Sequence, residues 1–149
     1  MSGYNDLLNA TQTIVQALGL SGISTGNILV KKLPKVEQVD SLPIILICPS
    51  VRPEVILGSS FEAQVFVDYR IDVIIIASGN LDFSSNLSTY LLWREEVRKA
   101  FQQAPLAVSI PVMPWKIKTE PLVPLDRHLI SELWDYMGLT IVFSTNEGI

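Results

Sequence analysis

The chain has 149 residues, which suits one domain over residues 1–149 with a substantial core. Its 11 basic and 15 acidic residues give a net charge of −4, the wrong sign for a protein that grips nucleic-acid phosphates. Its apolar runs are shorter than the roughly 20 residues of a membrane span, no secretory signal is visible, and the single cysteine cannot form an internal disulfide, so we expect a cytosolic origin.

The first predicted element is a short amphipathic helix from Asn5 to Leu18. Asn5 or Asp6 can cap its start, and Gly19 is placed to end it. Residues 20–27 are rich in Ser, Gly and Thr, which predicts a loop.

Two strands are predicted next, at Ile28–Leu33 and Leu42–Cys48. Lys35–Ser41, between them, is either a hairpin connection or a ragged extension of the first strand. Residues 50–60 contain Pro53, Gly58 and several serines, which favours a turn with a short strand inside it.

The strongest strand signal runs from Phe61 to Ala77, where every odd position is apolar. A period of two places successive side chains on opposite faces of a sheet, and no helix tolerates it. At roughly 3.3 Å per residue, such a strand is about 56 Å long, far beyond the usual length. We therefore expect either a bulge within it or one end that leaves the domain and meets a partner chain.

The best predicted helix spans Leu87–Gln103, with Glu95 and Lys99 four residues apart in the favourable order and Pro105 beyond its end. Its predicted apolar face consists of Leu87, Tyr90, Leu91, Val97, Ala100 and Phe101.

A proline-rich stretch follows, in which Trp115–Thr119 is predicted as an edge strand. Leu129–Ser144 contains the last strand, where Gly138 indicates a bulge or a close backbone approach, and we expect Thr145–Ile149 to be loose. The fold class predicted from this order is α+β: an antiparallel (mixed) sheet with one very long central strand and two helices on one face.

Residues with catalytic potential are few. His128 is the only histidine, and it lies among charged side chains, at Asp126, Arg127, Glu132 and Asp135, that most simply form a solvated loop with local ion pairs. A metal site there would need three carboxylates to converge on the histidine.

The other candidates for chemistry have structural explanations. Asp68 and Asp72 can be paired catalytic carboxylates, but Arg70 between them should lower both pKa values and make a salt-bridged, solvent-facing surface. Cys48 reads as a small core residue, and the tryptophans, at positions 93, 115 and 134, read as core or interface anchors. We therefore expect no enzyme, cofactor or metal site.

The order of helix, strands, very long strand, helix and closing strand resembles that of the tail-terminator and tail-completion proteins of tailed bacteriophages. The helical stretch Trp93–Lys99, which reads Trp-Arg-Glu-Glu-Val-Arg-Lys, and Pro124–His128, which leads into a strand, also look like that group. Neck or head–tail joining ring proteins are the related alternative.

The resemblance implies a structural virion protein, assembled in the host cytoplasm, that forms a homo-oligomeric ring, usually of six copies. Such a ring caps the head-proximal end of the tail tube, ends tube polymerisation and joins the tail to the neck. Its implied partners are further copies of itself, the tail tube protein, neck or connector proteins and, in a contractile tail, the sheath protein. DNA passes through its channel without specific binding, and no membrane is involved.

From the strand pattern we expect an acidic channel lining and an apolar subunit contact, because carboxylates repel DNA and one patch must meet a different patch on the next copy. The expected channel residues are Glu62, Asp68 and Asp72, and the expected interface residues are Phe66, Tyr69, Ile74 and Ile76. Asp in place of Phe66 or Ile74 should then disturb the ring before it unfolds the subunit. The other hypotheses are a module that captures a peptide at the sheet edge and the proline-rich stretch, and a small enzyme around His128.

Overall fold

The computed structural model describes residues 3–20, 22–31, 44–59, 64–78, 86–102, 116–121 and 134–148. These residues form an α+β fold of two α-helices and a five-stranded mixed sheet. In chain order, the elements are α1 (Gly3–Ala17), a short 3-10 turn (Thr25–Asn27), β1 (Ile28–Val30), β2 (Ile44–Ser59), β3 (Gln64–Ser78), α2 (Asn86–Gln102), β4 (Lys116–Pro121) and β5 (Trp134–Gly148).

Helix α1 ends where the sequence indicates. Gly19 has a φ of 61°, a left-handed conformation that glycine adopts without steric cost. The amides of Leu18 and Gly19 close the last turn by donating to the carbonyls of Val15 and Gln16. The helix begins at Gly3, however, so Asp6 lies in its first turn and neither Asn5 nor Asp6 is the cap.

The strand order in the sheet is β1-β2-β3-β5-β4, with β3 in the centre and β4 at an edge, as predicted for the proline-rich stretch. Strand β1 pairs with β2 in parallel, and the other neighbours are antiparallel. Strands β1 and β2 therefore do not form a β-hairpin, whose strands are antiparallel. The two alternatives given for Lys35–Ser41 lie outside the described residues.

Strand β3 is long, as its alternation predicts, but it is not longer than its neighbours. It has 15 residues, against 16 in β2 and 15 in β5. It pairs with β5 without interruption from Gln64↔Gly148 to Ser78↔Trp134, which excludes a bulge, the first of the two alternatives given for Gly138. The expectation of a loose tail is also wrong for residues 145–148, which belong to β5.

Strand β2 corrects the prediction for residues 50–60. It does not end at Cys48 but continues to Ser59, passing through Pro49 and Pro53. Its register against β3 shifts between Pro49 and Glu54, and again between Ile56 and Gly58. The residues that predicted a turn therefore form bulges within one continuous strand. Proline is tolerated there because it lacks a backbone N–H, which a bulge or an open strand edge does not require.

Both helices pack on one face of the sheet, which we call the helix face. Alternate residues of β3, from Val67 to Ile75, point to it, together with Leu139, Ile141 and Phe143 of β5. The buried helical residues that meet them are Tyr4, Leu7, Leu8, Ala10, Val15, Trp93, Val97 and Phe101. The rings of Phe101 and Phe143 meet edge to face, with centroids 6.1 Å apart.

The predicted apolar face of α2 is partly wrong. Trp93, Val97 and Phe101, spaced four residues apart, are buried, whereas Leu91 is about half exposed at 49%. Leu92 is similarly exposed, at 50%. The helix has more apolar residues than one stripe can hold, so its rotation is set by contact with the sheet and not by its own pattern.

The opposite face of the sheet, which we call the open face, also has an apolar cluster. Ile44, Leu46, Cys48, Ile74 and Ile76 are all at most 3% exposed within the chain. Ile74 and Ile76, which the sequence analysis assigns to a subunit interface, are therefore buried within the chain.

Candidate functional site

A polar patch occupies the open face across β3, β5 and β4. Directly opposed residues share a face, and the register sets out three rows of them. The rows are Asp68–Ser144–Lys116, Arg70–Val142–Lys118 and Asp72–Thr140–Glu120.

An ion pair crosses the polar patch from β3 to β4. Nη2 of Arg70 donates to Oε2 of Glu120, and Nζ of Lys118 lies 3.2 Å from the other oxygen. The hydrogen bond from Arg70 is the main reason that the pKa of Glu120 is lowered. The pair spans β5 above the position of Val142, which is buried, so it joins three strands.

Asp72 departs most from expectation. Its side chain is buried, and its Oδ1 accepts a hydrogen bond of 2.8 Å from Oγ1 of Thr140. Burial raises its pKa, and this outweighs the lowering by hydrogen bonds from Thr140 and Ser50 and by the charge of Arg70. The predictions of a solvent-facing surface and a lowered pKa are therefore wrong for Asp72.

Asp68 matches the expected surface better. It is half-buried, and its Oδ1 accepts a 2.7 Å hydrogen bond from Oγ of Ser144. Of the other expected channel residues, Glu62 lies outside the described residues. The charges of the polar patch are balanced, because Arg70, Lys116 and Lys118 offset Asp68, Asp72 and Glu120.

Tyr4 joins α1 to the larger bulge of β2. Arg70 has no partner in the β2 register, and its carbonyl accepts the hydroxyl of Tyr4 instead. The amide of Ser50, inside the bulge, donates to the same hydroxyl. Burial raises the pKa of Tyr4 to about 12, so the hydroxyl keeps its proton. The sequence analysis did not predict this role of Tyr4. The available signal was Pro49 and Pro53, which indicate a break in the pairing of β2 that another group must compensate.

Residues 49–59 of β2, which we call its outer half, are the most exposed apolar segment among the described strands. Val51 is 96% exposed and Ile56 71%. Strand β1 pairs only with Ile45–Ile47, so within the described chain no strand lies beside the outer half of β2 on the side away from β3. An open edge that also presents apolar side chains is typical of a surface that another chain covers.

The predicted interface residues have different environments. Tyr69 is buried in the core of the helix face, and Ile74 and Ile76 are buried in the cluster of the open face. Phe66 is 36% exposed. Within residues 64–78, β3 has no end that leaves the sheet, because β2 and β5 pair with its two sides. Residues 61–63 of the expected long strand lie outside the described residues.

A small cleft lies between α2 and the β4 edge, with a volume of about 120 Å³. The described residues that line it are Arg94, Arg98, Gln102, Thr119, Glu120 and Leu139. Nε of Arg94 donates to the carbonyl of Gly138 at 3.2 Å, and Arg98 donates to Gln102, which in turn donates to Thr119. These bonds hold the helix against β5 and β4 and keep two guanidinium groups at the cleft. The sequence signal was the pair of arginines four residues apart.

The residues considered for catalysis give no catalytic arrangement in the part of the chain that is described. His128 and its neighbours Asp126, Arg127 and Glu132 lie outside that part, as does the side chain of Asp135. Among the described side chains, no group of three or more His, Cys, Asp or Glu residues can hold a metal ion. Cys48 is buried, as predicted, and burial raises its thiol pKa to about 12, which keeps it from acting as a nucleophile.

Comparison with known proteins adds no relative: no protein-family model matches the chain, and no curated protein matches it. Neither of the described helices is long and apolar enough to cross a membrane.

Proposed function

We propose that this protein is a structural subunit of a tailed bacteriophage particle that forms a homo-oligomeric ring at the head-proximal end of the tail tube. The ring ends tube polymerisation and joins the tail to the neck. The α+β architecture, with its helix–strands–helix–strands order, is consistent with the resemblance to tail-terminator and tail-completion proteins.

One observation carries the ring: within the described residues, no strand covers either edge of the sheet, and the two edges differ from each other. One end is the outer half of β2, with exposed Val51 and Ile56. The other is β4, the outermost described strand at the far side of the sheet, which alternates exposed lysines with half-buried residues. Contact between two unlike patches repeats from copy to copy, and it forms a closed ring where the rotation between copies permits.

In this proposal the partners are further copies of the chain, the tail tube protein and the neck or connector proteins, with the sheath protein as a further partner in a contractile tail. DNA passes through the central channel without specific binding. Asp68 is the described acidic residue of the expected lining that water reaches, and Phe66 is the described apolar residue that remains available for a subunit contact.

The test is the mass of the purified protein in solution, measured by light scattering across a concentration series, with electron microscopy of the assembled fraction. We expect a closed oligomer with a central hole. Ile56→Lys should shift it to smaller species, because a charge replaces an exposed apolar contact. Thr13→Lys, which adds the same charge to the exposed side of α1, is the control. A single-chain mass at all concentrations would rule out the ring.

The open edge of β2 also favours a second function, capture of an extended peptide by strand addition. That module would be a single chain or a dimer on its own. It would bind a peptide through backbone hydrogen bonds at the edge, so the same mass measurement separates the two functions.

A further inference from the structure

We propose that the cleft between α2 and β4 receives the carboxylate of Glu54 from a second copy of this chain. The inference rests on the proposed ring and specifies which charged groups meet at its subunit contact.

The cleft suits one charged side-chain end and little else. Pockets for drug-sized ligands have volumes of roughly 300–1,000 Å³, and this one has about 120 Å³. Arg94 and Arg98 supply its positive charge, and the negative charge of Glu120 is already shared between Arg70 and Lys118. A carboxylate is therefore the matching occupant, because a guanidinium group binds carboxylates through parallel N–H donors.

The two arginines have donors to spare in the described structure. One nitrogen of Arg94 is used on Gly138, and one of Arg98 on Gln102. Each guanidinium carries five N–H donors in a fixed fork. The remaining donors of Arg98 are the more accessible, because its side chain is exposed and that of Arg94 is half-buried.

Glu54 is the matching group on the other end of the sheet. Among the acidic residues whose side chains are described, it is the one that is exposed; Asp72 is buried, and Glu95 is paired with Lys99. Glu54 lies in the outer half of β2, on its open edge, three residues after Val51 and two before Ile56.

The two groups also lie on the same layer of the molecule. Glu54 is opposite Tyr69, whose side chain points to the helix face. The cleft is bounded by α2, which packs on the helix face, and by Thr119, which bonds to that helix. When the outer half of β2 of one copy meets the β4 edge of the next, Glu54 and Arg98 therefore approach each other on one side of the sheet.

The experiment is a charge-reversal pair in the full chain: Glu54→Lys, Arg98→Glu, and the two together. We expect each single reversal to weaken assembly by about tenfold or more, because like charges then face each other, and the double variant to restore it. Lys99→Glu is the matched control, since it makes the same change on the neighbouring exposed residue of α2. Circular dichroism shows whether each variant is folded.

If the parent protein assembles and both single variants assemble as well as the parent, the Glu54–Arg98 contact is overturned and the proposed ring is not affected. Single variants that weaken assembly without restoration in the double variant would also overturn it. Parent protein that stays a single chain would remove the ring and this contact together.

Discussion

At the scale of single residues, the burial and the pKa of Asp72 depend on side chains that are close in space and distant in sequence. Two apolar residues follow it on the open face, at Ile74 and Ile76, and both are buried with it. Thr140 and Ser50 donate to its carboxylate, yet burial still raises its pKa. A carboxyl group with two donors and a raised pKa is a structural element of the sheet, and its charge costs the folded state stability.

The residue-level prediction concerns pH. Because the folded-state pKa of Asp72 is raised, its contribution to stability is fully present below the unfolded value of about 3.8 and is lost as pH rises through the folded value. Asp72→Asn cannot ionise, so its stability relative to the parent should be greater at pH 7 than at pH 4. Urea unfolding at a series of pH values measures the difference. A difference that stays constant across this range would contradict the raised pKa.

At the scale of the elements, a contact from helix α1 compensates for the interrupted pairing between β2 and β3. Strand β2 has extra residues between Pro49 and Glu54, which leaves Arg70 on β3 without its β2 partner. The hydroxyl of Tyr4 takes the place of that partner. Helix α1 is thereby attached to the sheet at the point where the strand ladder is weakest.

The element-level prediction is that Tyr4→Phe destabilises the protein by about 1–3 kcal/mol, the usual cost of leaving a buried polar group without its hydrogen bond. Phenylalanine keeps the aromatic side-chain ring, so its contact with the ring of Tyr69, whose centroid lies 5.9 Å away, is retained. Thr13→Val removes an exposed hydroxyl that also bonds to a backbone carbonyl, and it should cost less than about 0.5 kcal/mol. Thermal or urea unfolding of both variants provides the comparison; equal losses would show that the Tyr4 bond has no special role.

Periodicity alone locates β3, the second half of β5 and both helices, because a buried face forces apolar residues into a fixed spacing. It fails for the outer half of β2, where Pro49, Pro53 and Gly58 are turn signals in sequence and are absorbed by bulges in space. The candidate surface could not be predicted for a related reason. Phe66 and Ile74 lie on the same face of the same strand, and only the three-dimensional packing leaves the first exposed and buries the second.

At the scale of the whole molecule, one part of the sheet has its apolar side chains buried within the chain, and another part has them exposed to solvent. On the open face, the Ile74 end of β3 is buried within the chain, whereas Phe66 near the other end is partly exposed. The neighbouring outer half of β2 also carries exposed apolar side chains, with Ile56 opposite Val67 of the helix face. Exposed apolar residues at one end and a cleft with two arginines at the other make the molecule asymmetric from edge to edge, which is what a head-to-tail contact uses.

The prediction at this scale separates folding from assembly. Because Ile74 is buried, the sequence-based prediction that Ile74→Asp disturbs the ring before it unfolds the subunit no longer holds. The substitution buries an unpaired charge, so it should cost about 3 kcal/mol or more and unfold the subunit. Phe66→Asp replaces a partly exposed side chain and should cost about 1 kcal/mol or less while weakening assembly. Urea unfolding followed by tryptophan fluorescence, together with light scattering, measures both effects. Similar unfolding midpoints for the two variants would contradict the division of the open face.

The position of β5 in the sheet has a consequence for how the chain acquires its structure during translation. The strand latest in sequence lies between β3 and β4, so these two become joined only after it is inserted. A nascent chain that has left the ribosome as far as β4 still has one side of β3 open along its length. The sheet is therefore completed only when β5 is synthesised. Until then, the backbone N–H and C=O groups of β3 and β4 that later pair with β5 have no partner in that strand.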